Sequence, residues 1–160
     1  MIVILDSNIL TLLVTPLDEK LSEDEKLAKE IHQCTQWFER LLSKGASIIV
    51  SDICDYEVRR EFIRINSKSV QELDNLRDLI EFKPVTFAVL EKAAELWAEA
   101  RYQSQSNKIK ENIDVDCILA AQGCLLKEQS PGREVIIATK NIKDFQRVTD
   151  CDVWQNITYL

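Results

Sequence analysis

The chain has 160 residues, a formal net charge of −7 and 46% hydrophobic residues. This length suits one domain over residues 1–160, and the composition argues against a largely disordered protein because enough apolar side chains are present to build a core. No stretch approaches the roughly 20 apolar residues that a membrane span needs, and the opening Met-Ile-Val-Ile-Leu lacks the basic region of a signal peptide. We therefore expect a cytoplasmic protein with no membrane partner.

Cysteine and histidine are arranged in a way that argues against zinc and against a disulfide framework. The five cysteines are odd in number, form no Cys-x-x-Cys pair and lie apart from the single histidine, His32. Unpaired cysteines of this kind usually behave as small core residues. We expect inert thiols, and we expect His32 to be an ordinary surface or partly packed residue.

In the first half of the chain, the sequence predicts strands and helices in alternation. The apolar residues 2–5 predict a buried strand that ends at Asp6. A possible capping box at residues 22–25 starts a helix that Gly45 ends. Residues 46–50 predict a second strand, after which Ser51 or Asp52 is expected to cap a helix.

The second half continues the alternation. A second box, at residues 69–72, predicts a helix that ends near Phe82 with Val70, Leu73, Leu76 and Ile80 inward, and residues 84–85 predict an extended piece. Thr86 is expected to cap the next helix. A polar loop over 103–112, a helix over 115–128, a strand over 134–138 and an edge strand near Val153 and Trp154 complete the chain. The expected inward residues of the helix after Thr86 are Val89, Leu90, Ala93, Ala94 and Trp97.

Strands separated by helices, with no hairpin signal between them, predict a parallel sheet. The expected fold class is α/β, a three-layer α/β/α sandwich around a central, mostly parallel sheet. In such sheets, ligands bind beyond the carboxyl ends of the strands, where the winding reverses. This edge is where a functional site is expected.

Acidic residues follow the predicted strands toward that edge. Asp6 comes directly after the first strand, and Asn141 and Asp144 follow the last core strand. Asp114 and Asp116 come at the start of an apolar helix, where an aspartate can cap the helix and also bind a hard cation. Taken alone, Asp6 is equally well explained by an Asx turn that ends the strand.

Glu57 and Glu61 lie one turn apart on the helix after the second strand. One of them can reach the same edge, and the other is expected to be solvated or paired with Arg60 or Arg64. Oxygen ligands without cysteine or histidine favour Mg²⁺ or Mn²⁺ over zinc. A cation in such a site can promote the hydrolysis of a phosphodiester, so the acidic net charge does not exclude a nucleic-acid substrate.

Four segments together resemble the motifs of PIN domains, in order and over nearly the whole chain. They are residues 5–10 (Leu-Asp-Ser-Asn-Ile-Leu), residues 50–51 with 56–59 (Val-Ser and Tyr-Glu-Val-Arg), residues 116–121 (Asp-Cys-Ile-Leu-Ala-Ala) and residues 139–145 (Thr-Lys-Asn-Ile-Lys-Asp-Phe).

The resemblance implies a Mg²⁺- or Mn²⁺-dependent ribonuclease, often the toxin of a VapC-type toxin–antitoxin pair. It implies Asp6, Glu57 and Asp116 as an acidic triad, with Asp144 as a further catalytic acid and Asn141 completing the pocket. The implied metal ligands are Asp6, Asp116, Asn141 and Asp144, and the implied supporting residues are Ser7, Asn8, Asp114 and Thr139. Two positions depart from the pattern, because Asn141 stands where an aspartate is common and Ser7 replaces the commoner threonine.

Basic residues near this site are candidates for binding RNA. Arg60, Arg64 and Lys68 are spaced at i, i+4 and i+8, which places them along one helix face, with Arg59 beside them. A solvated face balanced by Glu61 is an equally good interpretation. Further candidates are Lys108, Lys110, Lys140, Lys143 and Arg147.

Other classes of protein share some of these features. A phosphatase or phosphotransferase with a nucleophilic aspartate needs an acid two residues after it, where this chain has Asn8. A phospho-receiver domain is matched in part by Asp52 and Lys140 but needs an acidic partner beside Asp6. A PIN-like RNA-binding module without catalysis would be expected to have lost its acids.

The helices over residues 27–42 and 70–80 carry apolar faces on which Trp37, Phe38 and Leu41 are expected near the surface. Exposed faces of this kind favour a symmetric homodimer, and packing of both faces on the sheet is the alternative. The family resemblance also implies a homodimer, with a groove that receives an antitoxin segment bearing an Arg or Lys.

Overall fold

The computed structural model of the chain describes residues 1–16, 24–103 and 113–159. Its five strands form one parallel sheet in the order β3-β2-β1-β4-β5. The strands are β1 (Ile2–Leu5), β2 (Ser47–Ser51), β3 (Glu81–Lys83), β4 (Val135–Thr139) and β5 (Cys151–Val153). The described helices are α1 (Ser7–Val14), α2 (Glu25–Ser43), α3 (Asp52–Arg64), α4 (Ser69–Leu79), α5 (Phe87–Gln103) and α6 (Ile113–Gln129), with short 3-10 helices at Ile142–Asp144 and Trp154–Asn156.

The predicted α/β class and the parallel sheet are confirmed. All four residues of β1 are buried, as expected for the central strand of a sheet covered on both faces. The end of β1 is level with the ends of its neighbours, because Leu5 pairs with Val50 on β2 and with Ala138 on β4. The chain winds outward through β2 and β3 on one side and through β4 and β5 on the other, so the winding reverses beside β1.

Helix α1 was not predicted. It begins directly after Asp6, whose side chain caps it by accepting a hydrogen bond from the Ser7 N–H at 2.7 Å. The inward side chains Ile9, Leu10, Leu12 and Val14 are apolar but do not follow a clean helical stripe, which explains why periodicity alone missed the helix. The Asx-turn interpretation of Asp6 is not borne out, because the carboxylate accepts from the N–H of the next residue, Ser7, whereas an Asx turn uses the N–H two residues on.

The predicted helix caps are partly correct. Gly45 ends α2 with a φ of 82°, and Ser51 caps α3. Asp24 rather than Ser22 caps α2, and Ser22 lies outside the described residues. The predicted capping box at residues 69–72 is wrong, because Ser69 is already inside α4 and its N–H binds the hydroxyl of Ser67.

Two further expectations are corrected along the middle of the chain. Phe82 lies in β3 rather than at a helix end, and this strand precedes the predicted extended residues 84–85. Thr86 does cap α5, since its hydroxyl accepts from the Val89 N–H. Leu90, Ala94 and Trp97 were predicted to face inward but are exposed. The buried face of α5 is instead formed by Val89, Ala93 and Leu96. Most of the predicted loop over 103–112 lies outside the described residues.

The apolar faces that suggested a dimer are packed inside. Trp37, Phe38 and Leu41 are only 3%, 6% and 3% exposed, and Leu73 on α4 is fully buried. The expectation that these side chains lie near the surface is wrong. The alternative of inward packing is right, so the homodimer loses this argument and stays a prediction.

The described cysteines form no disulfide, and Cys34 and Cys54 are buried. Burial raises the pKa of the Cys34 thiol to about 12, so it stays protonated and unreactive. His32 is exposed, as expected. None of the described helices combines the length and the apolar character that crossing a bilayer requires.

The final segment of the chain is fixed by Trp37, whose indole N–H donates to the Ile157 carbonyl at 2.9 Å. Trp37 packs edge to face against Trp154, which is equally buried but whose indole N–H has no hydrogen-bond partner among the described residues. These two tryptophans offer a matched comparison. We predict that Trp37→Phe lowers the free energy of unfolding by about 1 to 3 kcal/mol more than Trp154→Phe, because only Trp37→Phe leaves a buried carbonyl without its donor.

Urea unfolding followed by circular dichroism measures both variants without relying on tryptophan fluorescence. Equal losses of stability would mean that the Trp37 hydrogen bond does not hold the end of the chain.

Candidate active site

A cavity of about 340 Å³ opens at the carboxyl edge of the sheet, beside the end of β1. Four carboxylates that the sequence singled out line it together: Asp6, Glu57, Asp116 and Asp144. The remaining lining residues are Ser7, Asn8, Thr11, Val58, Glu61 and Phe62. The structure therefore brings together acids that are up to 138 positions apart in the sequence.

Asp6 is the most buried of these acids, at 8% exposure. Its hydrogen bonds from the described residues all come from neutral groups. Its Oδ1 accepts from the Ser7 N–H at 2.7 Å. Its Oδ2 accepts from the Thr139 hydroxyl at 2.6 Å and from the Asn8 amide at 2.7 Å. Both carboxylate oxygens are thus held in place by residues of α1 and β4.

Burial raises the pKa of Asp6 to about 6. The hydrogen bonds from Thr139 and from the Ser7 N–H oppose this rise, and the nearby charges of Asp116 and Glu57 add to it. A buried carboxylate among other carboxylates is costly to ionise without a counter-charge. The pocket is therefore suited to bind a cation.

Thr139 and Asn8 form the frame around Asp6. Thr139 is completely buried, and its hydroxyl also accepts from the Asn141 N–H at 3.0 Å. The side-chain amide oxygen Oδ1 of Asn8 accepts from the backbone N–H of Lys140 at 3.1 Å. Both predicted supporting residues thus tie the start of α1 to the end of β4.

The other predicted supporting residues differ in position. Ser7 lines the cavity, and its hydroxyl is buried without a hydrogen-bond partner among the described residues. Asp114 and Asp116 both lie in the first turn of α6, where the helix dipole stabilises negative charge. Only Asp116 lines the cavity, whereas Asp114 is exposed.

Both glutamates of α3 line the cavity, with different surroundings. Glu61 forms an ion pair with Arg64, which lowers the pKa of Glu61. Glu57 has no ion pair among the described residues. The expectation that one glutamate reaches the edge while the other pairs with an arginine is met, except that Glu61 also contributes to the cavity wall.

Asn141 and Asp144 act as a pair after β4. The Asn141 amide donates to Asp144 Oδ2 at 2.7 Å, across the 3-10 helix Ile142–Asp144. Asp144 lines the cavity and Asn141 does not. Asn141 is therefore in a position to orient Asp144. Because Asn141 does not line the cavity, the structure does not support its predicted role as a metal ligand.

A network of ion pairs fixes helix α3. Asp55 is 7% exposed and receives two hydrogen bonds from Arg59, at 2.9 and 3.0 Å. Arg59 also binds Asp74 on α4 at 2.8 Å, and Arg77 of α4 binds Asp52 at 3.2 Å. These contacts hold α3 against α4 and thereby set the position of Glu57.

Ion pairs here and elsewhere in the structure determine which basic residues remain available to a ligand. Arg59 is engaged with Asp55 and Asp74, and Lys140 with Glu30 at 2.7 Å. Arg60 and Lys68 are exposed, as is Lys143, and Arg64 is shared with Glu61. Arg147 is exposed too, whereas Lys108 and Lys110 lie outside the described residues.

The donor set fits Mg²⁺ or Mn²⁺ in its chemistry. Over the described parts of the chain, no three acidic, histidine or cysteine side chains are arranged to hold an ion by themselves. Mg²⁺ does not require such a cage, since it keeps several waters and commonly binds protein through one or two carboxylates. A pocket of carboxylates around a buried Asp6 meets this lower requirement.

Sequence reasoning missed Thr11, Val58 and Phe62 in the cavity wall. Thr11 follows Ser7 by one helical turn, so recognising α1 would have found it. Cys54 was considered only as a core residue, yet the Asp6 charge acts on its thiol. Burial, more than this charge, raises the pKa of Cys54, so the buried thiol stays neutral near Asp6 and does not line the cavity.

Comparisons by sequence identify no relatives. No protein-family model matches the chain, and no curated protein has a matching sequence.

Solved structures do match. A chain of VapBC2 from Rickettsia felis, crystallised bound to a DNA fragment from the VapBC2 promoter, is 19% identical with a TM-score of 0.60, over 96% of this chain and 99% of that one. A chain of VapBC-1 from nontypeable Haemophilus influenzae is 17% identical with a TM-score of 0.62, over 98% of this chain and 100% of that one. At these identities the likeness establishes the fold, and the PIN-like architecture predicted from the four motifs is confirmed.

We predict that the stability of the metal-free protein depends on the charge of Asp6. The pKa of Asp6 is about 6 in the folded chain and 3.8 ordinarily, so folding takes up a proton between these values. The contribution of protonated Asp6 to the free energy of unfolding is fully present below about pH 4. It is lost as the pH rises through 6, by an amount on the order of 2 to 3 kcal/mol. Asp6→Asn, which cannot ionise, should therefore gain stability relative to wild type as the pH rises.

Urea unfolding in EDTA at pH 4 and pH 7.5 tests this, with the exposed Asp78→Asn as a control for the change of net charge. If Asp6→Asn and Asp78→Asn change equally relative to wild type between the two pH values, burial of Asp6 has no energetic consequence.

Proposed function

We propose that the chain is a Mg²⁺- or Mn²⁺-dependent endoribonuclease that hydrolyses RNA phosphodiesters, and that it is the toxin of a VapC-type toxin–antitoxin pair. The observation that carries this proposal is the gathering of Asp6, Glu57, Asp116 and Asp144 around one open cavity at the switch point of a parallel sheet. A cytoplasmic location, where RNA substrates occur, belongs to the same proposal.

The proposed roles follow from the surroundings of each acid. Asp6, Asp116 and Asp144 are the proposed residues for holding the ion, one or two of them directly and the remainder through its bound waters. A bound ion would supply electrostatic stabilisation of the phosphate charge. Thr139 and the Ser7 N–H fix the two oxygens of Asp6 so that they need not reorganise when a ligand enters. Asn141 orients Asp144 through its amide.

Glu57 is the proposed proton acceptor. Its carboxylate lies on the cavity wall and has no ion pair among the described residues, so it can take a proton from an attacking water. Glu61, one turn along α3, is already neutralised by Arg64 and is not assigned this role.

The surroundings of Asp6 weigh against an aspartate-based phosphotransferase. Such an enzyme needs a second acid two residues after its nucleophile to move a proton. Asn8, at the position where that chemistry needs an acid, donates its amide to Asp6. An RNA-binding module without catalysis is disfavoured because the acids are retained and converge.

The structural matches support an antitoxin partner for this chain, because both matched chains come from complexes named VapBC. We propose that the antitoxin places an Arg or Lys among the carboxylates, where a buried acid such as Asp6 would bind a cation strongly. A homodimer is also proposed, on the motif resemblance alone.

We predict that Asp116→Asn and Glu57→Gln each lower the rate of RNA cleavage by roughly 100-fold or more, since each removes a charge that the reaction needs. Glu61→Gln is the matched control, because it removes the same group from the same helix and cavity wall. It should leave the rate within a few-fold of wild type. Initial rates on a fluorescently labelled single-stranded RNA with Mg²⁺ measure all three, and a Glu57→Gln chain with the wild-type rate would remove Glu57 from the mechanism.

We predict that millimolar Mn²⁺ or Mg²⁺ raises the thermal unfolding midpoint of the wild-type chain, because an ion that binds only the folded state stabilises it, by about 2.7 kcal/mol at 100 times its dissociation constant. Asp6→Asn and Asp116→Asn should lose most of this shift, whereas Asp78→Asn should keep it. Scans with and without the ion at matched ionic strength give the comparison. Equal shifts in all four proteins would mean that the ion binds outside the cavity.

A further inference from the structure

We propose that Tyr56 and Arg60 form a nucleobase-binding subsite beside the carboxylate cavity, where a base of single-stranded RNA stacks on the Tyr56 ring. This inference rests on the proposed function and adds a specificity-determining residue to it. Neither Tyr56 nor Arg60 lines the cavity itself.

The helical spacing of α3 places the subsite next to the cavity wall. Glu57 and Glu61 are on the cavity side of the helix. Turning outward around the helix, the next positions are Arg60 and Arg64, and beyond them Tyr56 and Ile63. Tyr56 and Glu57 are adjacent in sequence and so lie at nearly the same height along the helix axis. A strand that enters the cavity can therefore reach the Tyr56 ring within about one nucleotide.

Tyr56, Arg60 and Ile63 form a surface of α3 whose side chains suit a flat ligand. Tyr56 is 55% exposed, so much of its ring is accessible to a ligand. The guanidinium of Arg60 lies 5.2 Å from the centre of the Tyr56 ring. This cation–π pair restrains the ring and puts a positive charge beside the place where a nucleotide would bind. Ile63 is 62% exposed and extends the apolar part of the same face.

The chemistry of this face favours single-stranded nucleic acid as its ligand. An aromatic ring beside an arginine is the combination on which unpaired bases stack, and stacking accepts any base. A duplex keeps its bases inside and cannot offer one to Tyr56. Arg60 and Arg64 lie between the Tyr56 ring and the acidic cavity. The phosphates of a strand that joins the ring to the cavity can therefore contact both arginines.

The test uses chains that carry Asp116→Asn, so that bound RNA is not cut. Fluorescence anisotropy measures binding of a short single-stranded oligoadenylate and of a tract of abasic ribose phosphates of equal length and charge, at one salt concentration. The compared variants are Tyr56→Ala, Tyr56→Phe and the control Phe87→Ala, which removes an aromatic side chain that is 75% exposed on α5 and outside the cavity lining.

We expect Tyr56→Ala to weaken binding of oligoadenylate by roughly tenfold and to leave binding of the abasic tract unchanged. Tyr56→Phe and Phe87→Ala should bind both ligands like the parent chain. An equal loss on both ligands, or no loss on either, overturns the subsite while leaving the proposed ribonuclease intact. If the parent chain binds neither ligand, the proposed function fails, and the subsite fails with it.

Discussion

The carboxyl edge of this protein is organised around the burial of one carboxylate, that of Asp6. Asp6 sits at the end of the central strand, and its oxygens receive hydrogen bonds from the Ser7 N–H, from Asn8 and from Thr139. These donors come from the next helix in the chain and from a strand more than 130 residues away. The same carboxylate therefore starts α1, joins β1 to β4 and forms the floor of the candidate site.

A second buried aspartate shows why Asp6 is unusual. Asp55 is about as buried as Asp6, but Arg59 neutralises it with two hydrogen bonds. Among the described residues no cation pairs with Asp6, and the charges that act on it most, those of Asp116 and Glu57, are negative. A buried charge without a counter-charge is destabilising, and proteins keep such groups mainly where a ligand supplies the missing charge. The contrast indicates that Asp55 is structural, and it supports the proposal that Asp6 binds a ligand.

Much of the fold and the site could be predicted from the sequence, because their signals are local. The buried strands, the alternation with helices and the acids at strand ends all follow from short runs of residues around Asp6, Asp116 and Asp144. What could not be predicted depends on the environment of each side chain. Tertiary packing decides these environments, and a single sequence does not reveal it. Examples are the exposure of Leu90 and Trp97, the burial of Trp37 and the hydrogen bond from Asn141 to Asp144.

The two edges of the sheet bear on how the protein behaves at high concentration. The outermost strands, Glu81–Lys83 and Cys151–Val153, have only three residues each. Glu81 and Lys83 pair with each other across the first edge, and Asp152 puts a charge in the second. A foreign strand that docked on either edge could form few ladder hydrogen bonds and would have to strip water from these charges. The folded sheet therefore gives little template for sheet-to-sheet aggregation.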